Sequence, residues 1–266
     1  MSHNLFAPTT DFLGVFDGLS SADAAGWERA AQFRQHSDPV INQHWQASEY
    51  PLDLVSRLGS LDVMTDGLDV PGHKKMSTLE AGLTLMEVTR ADASMGTVIA
   101  VQAGLAMRSI AMLGSEEQKS EYLPQMASCS LLGAFGLTEP DHGSDSIALE
   151  TTAVRDGDEW VLNGEKKWIG NGASGGITII YARMEDGNVS GFIVPQESPG
   201  YSATVIEGKL SLRAIHQAHI TLTDCRIPAA NQLPGCRSFK DVSRVLTSTR
   251  IGVSWMALGS AVACYE

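Results

Sequence analysis

A chain of 266 residues, 43% of them hydrophobic and 19% charged, has apolar material for one large domain or two modest ones. The formal charge of −12, with no local cluster of Lys and Arg, excludes a nucleic-acid surface, which needs a basic footprint. Four cysteines (Cys129, Cys225, Cys236, Cys264) without C-x-x-C spacing read as reduced, buried or idle thiols, and no metal site is suggested. Met1 to Gly14 holds neither an arginine run nor an apolar signal core. No later run of about 18 apolar residues is expected to span a bilayer, so the expected address is the cytoplasm.

From Ser21 to about Met126 the pattern is helical. Ser21 is placed to cap a first helix, and Asp38-Pro39 and Tyr50-Pro51 to start two more. Residues 60–75, rich in Asp, Gly and Pro, read as a loop. A helix follows from Thr78, with Leu79, Leu83, Met86 and Val88 apolar, and the almost wholly apolar Val98 to Leu113 predicts a buried one. Ser115-Glu116-Glu117-Gln118 has the capping-box form.

The period changes after Ser130. Seven short β-runs, near 151–154, 159–162, 166–169, 177–183, 191–195, 202–206 and 218–223, are split by turn signals at Asp156-Gly157-Asp158, Asn163-Gly164 and Asp186-Gly187-Asn188. Asn163-Gly164 is the strongest hairpin signal. Strands without intervening helices imply an antiparallel barrel or sandwich rather than a βαβ nucleotide fold. His216 and His219, three apart in extended chain, point to opposite faces and read as surface residues. Helical composition returns from Ser238 to Glu266. The expected class is therefore α+β multidomain: an N-terminal α-helical domain over 1–130, a middle β-domain over 131–237, and over 238–266 the first helix of a C-terminal helical domain.

Two glycine-bearing stretches carry candidate chemistry. Phe135 to Ser144 (Phe-Gly-Leu-Thr-Glu-Pro-Asp-His-Gly-Ser) reads as a strand end opening into a loop, where Gly136 and Gly143 allow close backbone approach and Thr138 and Ser144 offer hydroxyls. A plain connector would look the same. Gly172-Ala173-Ser174-Gly175-Gly176 matches G-x-S-x-G, but a nucleophile elbow needs a strand turning into a helix, and here strand follows strand.

Taken with Lys167-Trp168-Ile169-Gly170-Asn171-Gly172, the first stretch resembles the acyl-CoA dehydrogenase family, including its glutaryl-CoA and short-chain acyl-CoA oxidase branches. Gly114 to Lys119, Tyr122-Leu123-Pro124, Lys209 to Arg213 and Thr249 to Gly252 extend the resemblance, in family order, from about Glu80 to the last residue. It implies FAD as cofactor, with Phe135, Gly136, Leu137 and Thr138 lining the flavin and Trp168, Ile169 and Gly170 facing it from the second stretch. A strand tryptophan in a sheet core is the ordinary alternative for Trp168. Ser144 resembles a residue touching both cofactor and the thioester arm of coenzyme A. Gly96, Thr97, Ser243, Thr247 and Arg250 fall at substrate positions.

The departures are informative. Gly170 stands where most of the family's dehydrogenases carry threonine; the short-chain oxidase branch resembles this chain in having glycine there, and Asp92 to Thr97 also looks like that branch. Thr247 replaces Asp or Asn. Gly96 replaces the arginine that pairs with a distal carboxylate in glutaryl-CoA enzymes, so a monocarboxylic acyl chain is expected. The resemblance places the base glutamate in a C-terminal helical domain beyond this chain, or, in some branches, at the position of Thr249. No catalytic residue is therefore assigned, and the chain alone is expected to be nearly inactive. The implied reaction is α,β-desaturation of a short or medium acyl-CoA thioester, with an electron-transfer flavoprotein or oxygen as acceptor and a homo-oligomer at full length. The opposing reading is a non-catalytic acyl-CoA-binding or interaction protein.

Overall fold

The computed structural model describes residues 8–266; the first seven residues of the stretch read above for a leader lie outside it. Helix α1 (Ser21–Ser37) is capped by Ser20, whose hydroxyl accepts from the Asp23 amide at 3.1 Å, so Ser21 is already helical. It is followed by α2 (Ile41–Ala47), α3 (Leu52–Ser60) and α4 (Thr78–Ala91). The Asp-Pro pair sets the second helix two residues later than expected, because Asp38 and Pro39 remain in a turn. Trp27, Ala30 and Phe33 of α1 are fully buried, and α1 packs along α4.

Helix α4 brings two carboxylates into that interior, and both are matched. Glu80 meets Arg29 and Lys74, while Glu87 accepts from the Trp27 indole at 3.0 Å and from Arg34 and Arg90. Arg90 also pairs with Glu266. Buried carboxylates without such partners would be costly.

The apolar run expected from Val98 to Leu113 extends further, as α5 (Ala93–Ile99), a π-helical stretch (Ala100–Met107) and α6 (Arg108–Leu113). Its start is fixed by Asp92, whose side chain accepts from the amides of Ser94 and Met95. At 21 residues with a mean hydropathy of 1.4, this segment passes the length and composition test for a membrane span, contrary to the expectation from uninterrupted apolar runs. Thr97, Gln102, Arg108 and Ser109 break the run without lowering the mean enough. Most of its surface is buried among the other elements, as for the central helix of a packed domain. Helix α7 (Glu116–Ala127) has the expected capping box, with Ser115 and Gln118 exchanging backbone-to-side-chain bonds of 3.2 and 2.9 Å.

The middle domain is a seven-stranded sheet of β1 (Gly133–Gly136), β2 (Thr152–Asp156), β3 (Glu159–Gly170), β4 (Ile177–Met184), β5 (Val189–Pro195), β6 (Tyr201–Val205) and β7 (Gln217–Pro228). Its order is β1-β4-β2-β3-β7-β6, with β5 on β4. It is mixed rather than wholly antiparallel. Both β1 and β2 lie parallel to β4: β1 leads into a long loop instead of a tight turn, and β3, antiparallel to β2, carries the chain back before β4 begins.

The Asn163-Gly164 hairpin signal is not realised, and β3 runs through it as one strand. Gly164, at φ 143°, sits at a register shift against β7, where a Cβ would press on Thr151. Asn163 instead exchanges hydrogen bonds with Asp224 across the sheet. True turns fall at Gly157 and Gly187, both at positive φ. Along β4 the side chains alternate between two interiors: Ile177, Ile179 and Tyr181 join the helical core, Ile180 and Ala182 the second core of the sheet. The Tyr181 hydroxyl donates to Ser109 at 2.9 Å, tying the layers together.

Helix α8 (Phe239–Tyr265) lies across α4, burying Val242, Val245, Gly259 and Val262. Trp255 seats on Gly82, where any Cβ would clash with the indole. Ile251, Val253, Leu258 and Tyr265 are exposed.

Candidate functional site

Strand β1 enters the site already anchored. The buried Gln102 side chain accepts from the Gly133 amide at 2.6 Å and donates to the carbonyls of Met126 and Leu131 at 2.9 and 2.8 Å. From Gly136 the chain leaves the sheet, and one ion pair holds the loop that follows. Lys166, 0% exposed, donates to Glu139 Oε1 at 2.8 Å and to the Leu137 carbonyl at 3.3 Å. Glu139, 5% exposed, also accepts from the amides of Glu150 and Thr151 and from the Thr151 hydroxyl.

Burial alone would raise the Glu139 carboxyl, but the charge of Lys166 and these hydrogen bonds outweigh it and hold it at about 2. Burial also brings the Lys166 ammonium down to about 8, with Glu139 opposing the drop. A carboxyl depressed in the folded state stabilises fully above its unfolded pKa and loses that contribution as pH falls through the folded value. Glu139→Gln is therefore expected to flatten the acid limb of stability between about pH 4.5 and about pH 2, read from urea midpoints against pH.

The second stretch reaches the same place through a bulge. Between the pairs Lys166↔Ile220 and Ile169↔Ala218, β3 carries one residue more than β7, and Trp168 takes it up at φ 64°. A bulky residue in the left-handed region is an outlier that points to a local requirement. The effect is to turn the indole outward: Trp168 is 52% exposed in a strand whose neighbours Ile169 and Gly170 are buried. The Lys167 amide donates to the Thr138 carbonyl at 2.9 Å, so the two glycine-bearing stretches meet where Thr138 and Trp168 were expected to converge. Asn171, at φ 62°, locks the far side, accepting from the Tyr50 hydroxyl at 2.7 Å and donating to the Gly133 carbonyl at 3.1 Å.

The remaining candidates divide. Phe135 packs against Tyr181 with ring centroids 5.0 Å apart, and Leu137 is buried. Gly136 backs onto Ile180, where a Cβ would stand 2.7 Å from a methyl group, and Ile169 faces the second core. Gly170 meets the π-helical stretch, its position for a Cβ being 3.0 Å from Val101. Ser144 is exposed beside Gly143, which has open space around it. The hydroxyls of Thr138 and Ser144 make no hydrogen bond among the described residues.

A cavity of about 460 Å³ lies between α4, the helix run 93–113, α8 and the loops at 66–67 and 75–78; Leu85, Ile99, Ala100, Gly104, Arg108 and Thr249 are among its lining. The expected substrate residues border other surfaces. Gly96 packs on Thr89 of α4, and Thr97 donates to the Ala93 carbonyl. Ser243, Thr247 and Arg250 form an exposed stripe at i, i+4 and i+7 of α8, while the cavity is lined by Ser248, Thr249, Ile251 and Gly252. Thr249 keeps a neutral hydroxyl bonded to the Leu246 carbonyl at 2.9 Å. The carboxylate in the lining is Asp66, paired with Arg108.

Sequence reasoning missed Gln102, Asn171 and the Asp66–Arg108 pair. A lone Gln in an apolar helix was a usable signal for the first. The Gly172–Gly176 segment is a turn between β3 and β4, with the amides of Ser174 and Gly175 held by Gln196, so the strand-to-helix elbow of a hydrolase is absent there. His216 and His219 are half-buried, against the Tyr50 ring and Glu165 respectively.

Known proteins place this arrangement. Residues 27–130 match the N-terminal domain of acyl-CoA dehydrogenases, and residues 134–225 their middle domain. The chain is 35% identical over 237 residues to the mitochondrial short-chain specific acyl-CoA dehydrogenase of Mus musculus, covering 86% of this chain and 57% of that protein. It is 36% identical over 230 residues to a probable acyl-CoA dehydrogenase of Bacillus subtilis, covering 83% and 60%. The crystal structure of a glutaryl-CoA dehydrogenase from Mycobacterium smegmatis in complex with FADH2 superposes with a TM-score of 0.91 at 34% identity, over 94% of this chain and 65% of that one. The chain thus spans less than two thirds of the length of each. With the two domains matched in succession and the fold superposing throughout them, this chain belongs to the acyl-CoA dehydrogenase family.

Proposed function

We propose that this chain forms the FAD- and acyl-CoA-binding part of an acyl-CoA dehydrogenase acting on short or medium monocarboxylic thioesters. The observation that carries the reading is the junction of the two glycine-bearing segments, joined by the 2.9 Å bond that the Lys167 amide, next to Trp168, donates to the Thr138 carbonyl. The residues fit a flavin. Thr138, whose hydroxyl makes no hydrogen bond among the described residues, is bonded through its backbone to Lys167, next to the outward-turned Trp168. Gly170 of the Trp168 stretch meets Val101, and Ser144 offers a second unbonded hydroxyl on the exposed part of the loop. A tricyclic ring with one polar edge needs such a set: hydrogen-bond partners at the edge and a flat apolar wall.

When bound, the flavin would supply acceptance of the β-hydrogen as hydride. The chain's own residues orient and exclude water. Thr138 would bond the polar edge, Trp168 would cover the ring, and the Glu139–Lys166 pair fixes the loop that carries Thr138. Arg250, exposed on α8 of a strongly acidic chain, is a suitable cation for the coenzyme A phosphates. Proton removal at the α-carbon needs a carboxylate. Thr249 cannot serve and Asp66 is tied to Arg108, so in this reading the base comes from outside these 266 residues. An electron-transfer flavoprotein or oxygen would take the electrons, in the cytoplasm and in a homo-oligomer.

Loading the protein with FAD is expected to give bound, structured flavin bands that shift on addition of butyryl-CoA. Trp168→Ala should weaken FAD about five- to ten-fold, the scale of one aromatic packing interaction, with far-UV dichroism unchanged. Failure to retain FAD, or equal affinity in the variant, overturns the reading.

A further inference from the structure

The cavity between α4, α8 and the helix run 93–113 is apolar along its walls and polar at one end. Ala100, Gly104 and Arg108 follow one another at i, i+4 and i+8, and the first two present little or no side chain. Gly104 is the narrow point between two groups: a Cβ there would lie 3.6 Å from Asp66 Oδ2 and 4.0 Å from the Thr249 methyl. The space beside Thr249 is therefore continuous with the Asp66–Arg108 pair.

That pair is only half-used. Arg108 Nη2 donates to Asp66 Oδ2 at 2.6 Å and to the Asp66 carbonyl at 2.8 Å, but Nη1 makes no hydrogen bond among the described residues. Asp66 holds its place at φ 46°, next to Gly67 at φ 75°, a turn that aims its carboxylate at the arginine.

Building on the acyl-CoA reading, we infer that this cavity takes an acyl chain whose far end carries an uncharged hydrogen-bond acceptor, a hydroxyl, carbonyl or ether oxygen, bound by Arg108. A plain methyl end would cover the arginine and strip water from Nη1 without replacing it. A terminal carboxylate is disfavoured for a different reason: Asp66 already balances Arg108, and the other cation of the lining, Lys75, is exposed to water and paired with Asp69 at 3.8 Å, so a second anion at the part-buried end would meet no countercharge of its own. Burial raises the Asp66 carboxyl from its ordinary value despite Arg108, in keeping with a site that resists further negative charge.

The test measures affinities by calorimetry on the FAD-loaded protein for hexanoyl-, octanoyl- and decanoyl-CoA, each against its terminally hydroxylated counterpart and the matching terminal acid. At the length that reaches Arg108, the hydroxylated ligand is expected to bind about ten-fold tighter than the plain one, and the acid weakest. Asp66→Asn/Arg108→Met removes both charges together, leaving no unpaired buried ion, and should abolish that preference while plain chains still bind. Gly104→Val should exclude the longer chains of every kind. Equal binding of plain and hydroxylated chains at all lengths, or a preference that survives the double variant, overturns the inference and leaves the acyl-CoA reading intact. Loss of binding for every thioester, with FAD retained, overturns both.

Discussion

Lys166→Met lowers the free energy of unfolding by about 3–5 kcal/mol, the usual cost of leaving one member of a buried ion pair alone. Glu139 would keep its bonds from the Glu150 and Thr151 amides, but at 5% exposure it has little water to replace the ammonium. The Leu137 carbonyl would lose its bond as well. Urea unfolding monitored by tryptophan fluorescence reads the loss. The double variant Lys166→Met/Glu139→Leu should recover part of it, because an apolar pair carries no desolvation cost. Recovery of stability without recovery of FAD affinity would separate the two duties of the pair, holding the fold and holding Thr138 in place. An unchanged midpoint in Lys166→Met would show the pair to be of no consequence.

Gln102→Leu is expected to cost about 3 kcal/mol, at roughly 1 kcal/mol for each of three buried backbone groups left without a partner. Leucine fills a similar volume, so the loss reports the hydrogen bonds rather than a cavity. The groups lie at the end of α7, in the following turn and at the first residue of β1, which is where the helical layer hands the chain to the sheet. The change should therefore raise amide exchange at Leu131 to Gly136 before it does so in the distant strands. Uniform exchange across the molecule would count against this local role.

What could be read in the residues was what nearby residues decide. Ser115 and Gln118 cap each other three positions apart, and Gly157 and Gly187 turn hairpins within three residues, so composition alone was enough. Asn163-Gly164 carried an equally strong local signal and was overruled, because Asn163 finds Asp224 on β7, a partner 61 residues away. The parallel alignment of β1 and β2 with β4 was hidden for the same reason: nothing within a strand states which neighbour it will choose. In the site, the two glycine-bearing stretches, which meet through the bond from the Lys167 amide to the Thr138 carbonyl, were visible as motifs. The bulge that exposes Trp168 was not, since a left-handed tryptophan is imposed by its surroundings against its own preference. Nor was the polar end of the cavity, which joins a loop aspartate to a helix arginine 42 residues later.

The widened coil over Ala100–Met107 sets a phase as well as a path. Each α-helical residue advances the azimuth by about 100°, so changing the number of residues per turn rotates everything downstream relative to Ala93–Ile99. It is this accumulated rotation that brings Arg108 round to Asp66 and, one step on, Ser109 to Tyr181. Letting the stretch relax to ordinary pitch with all its residues kept would turn both off their targets at once, so the register of a single helix governs how the cavity ends and how the two layers are bolted together.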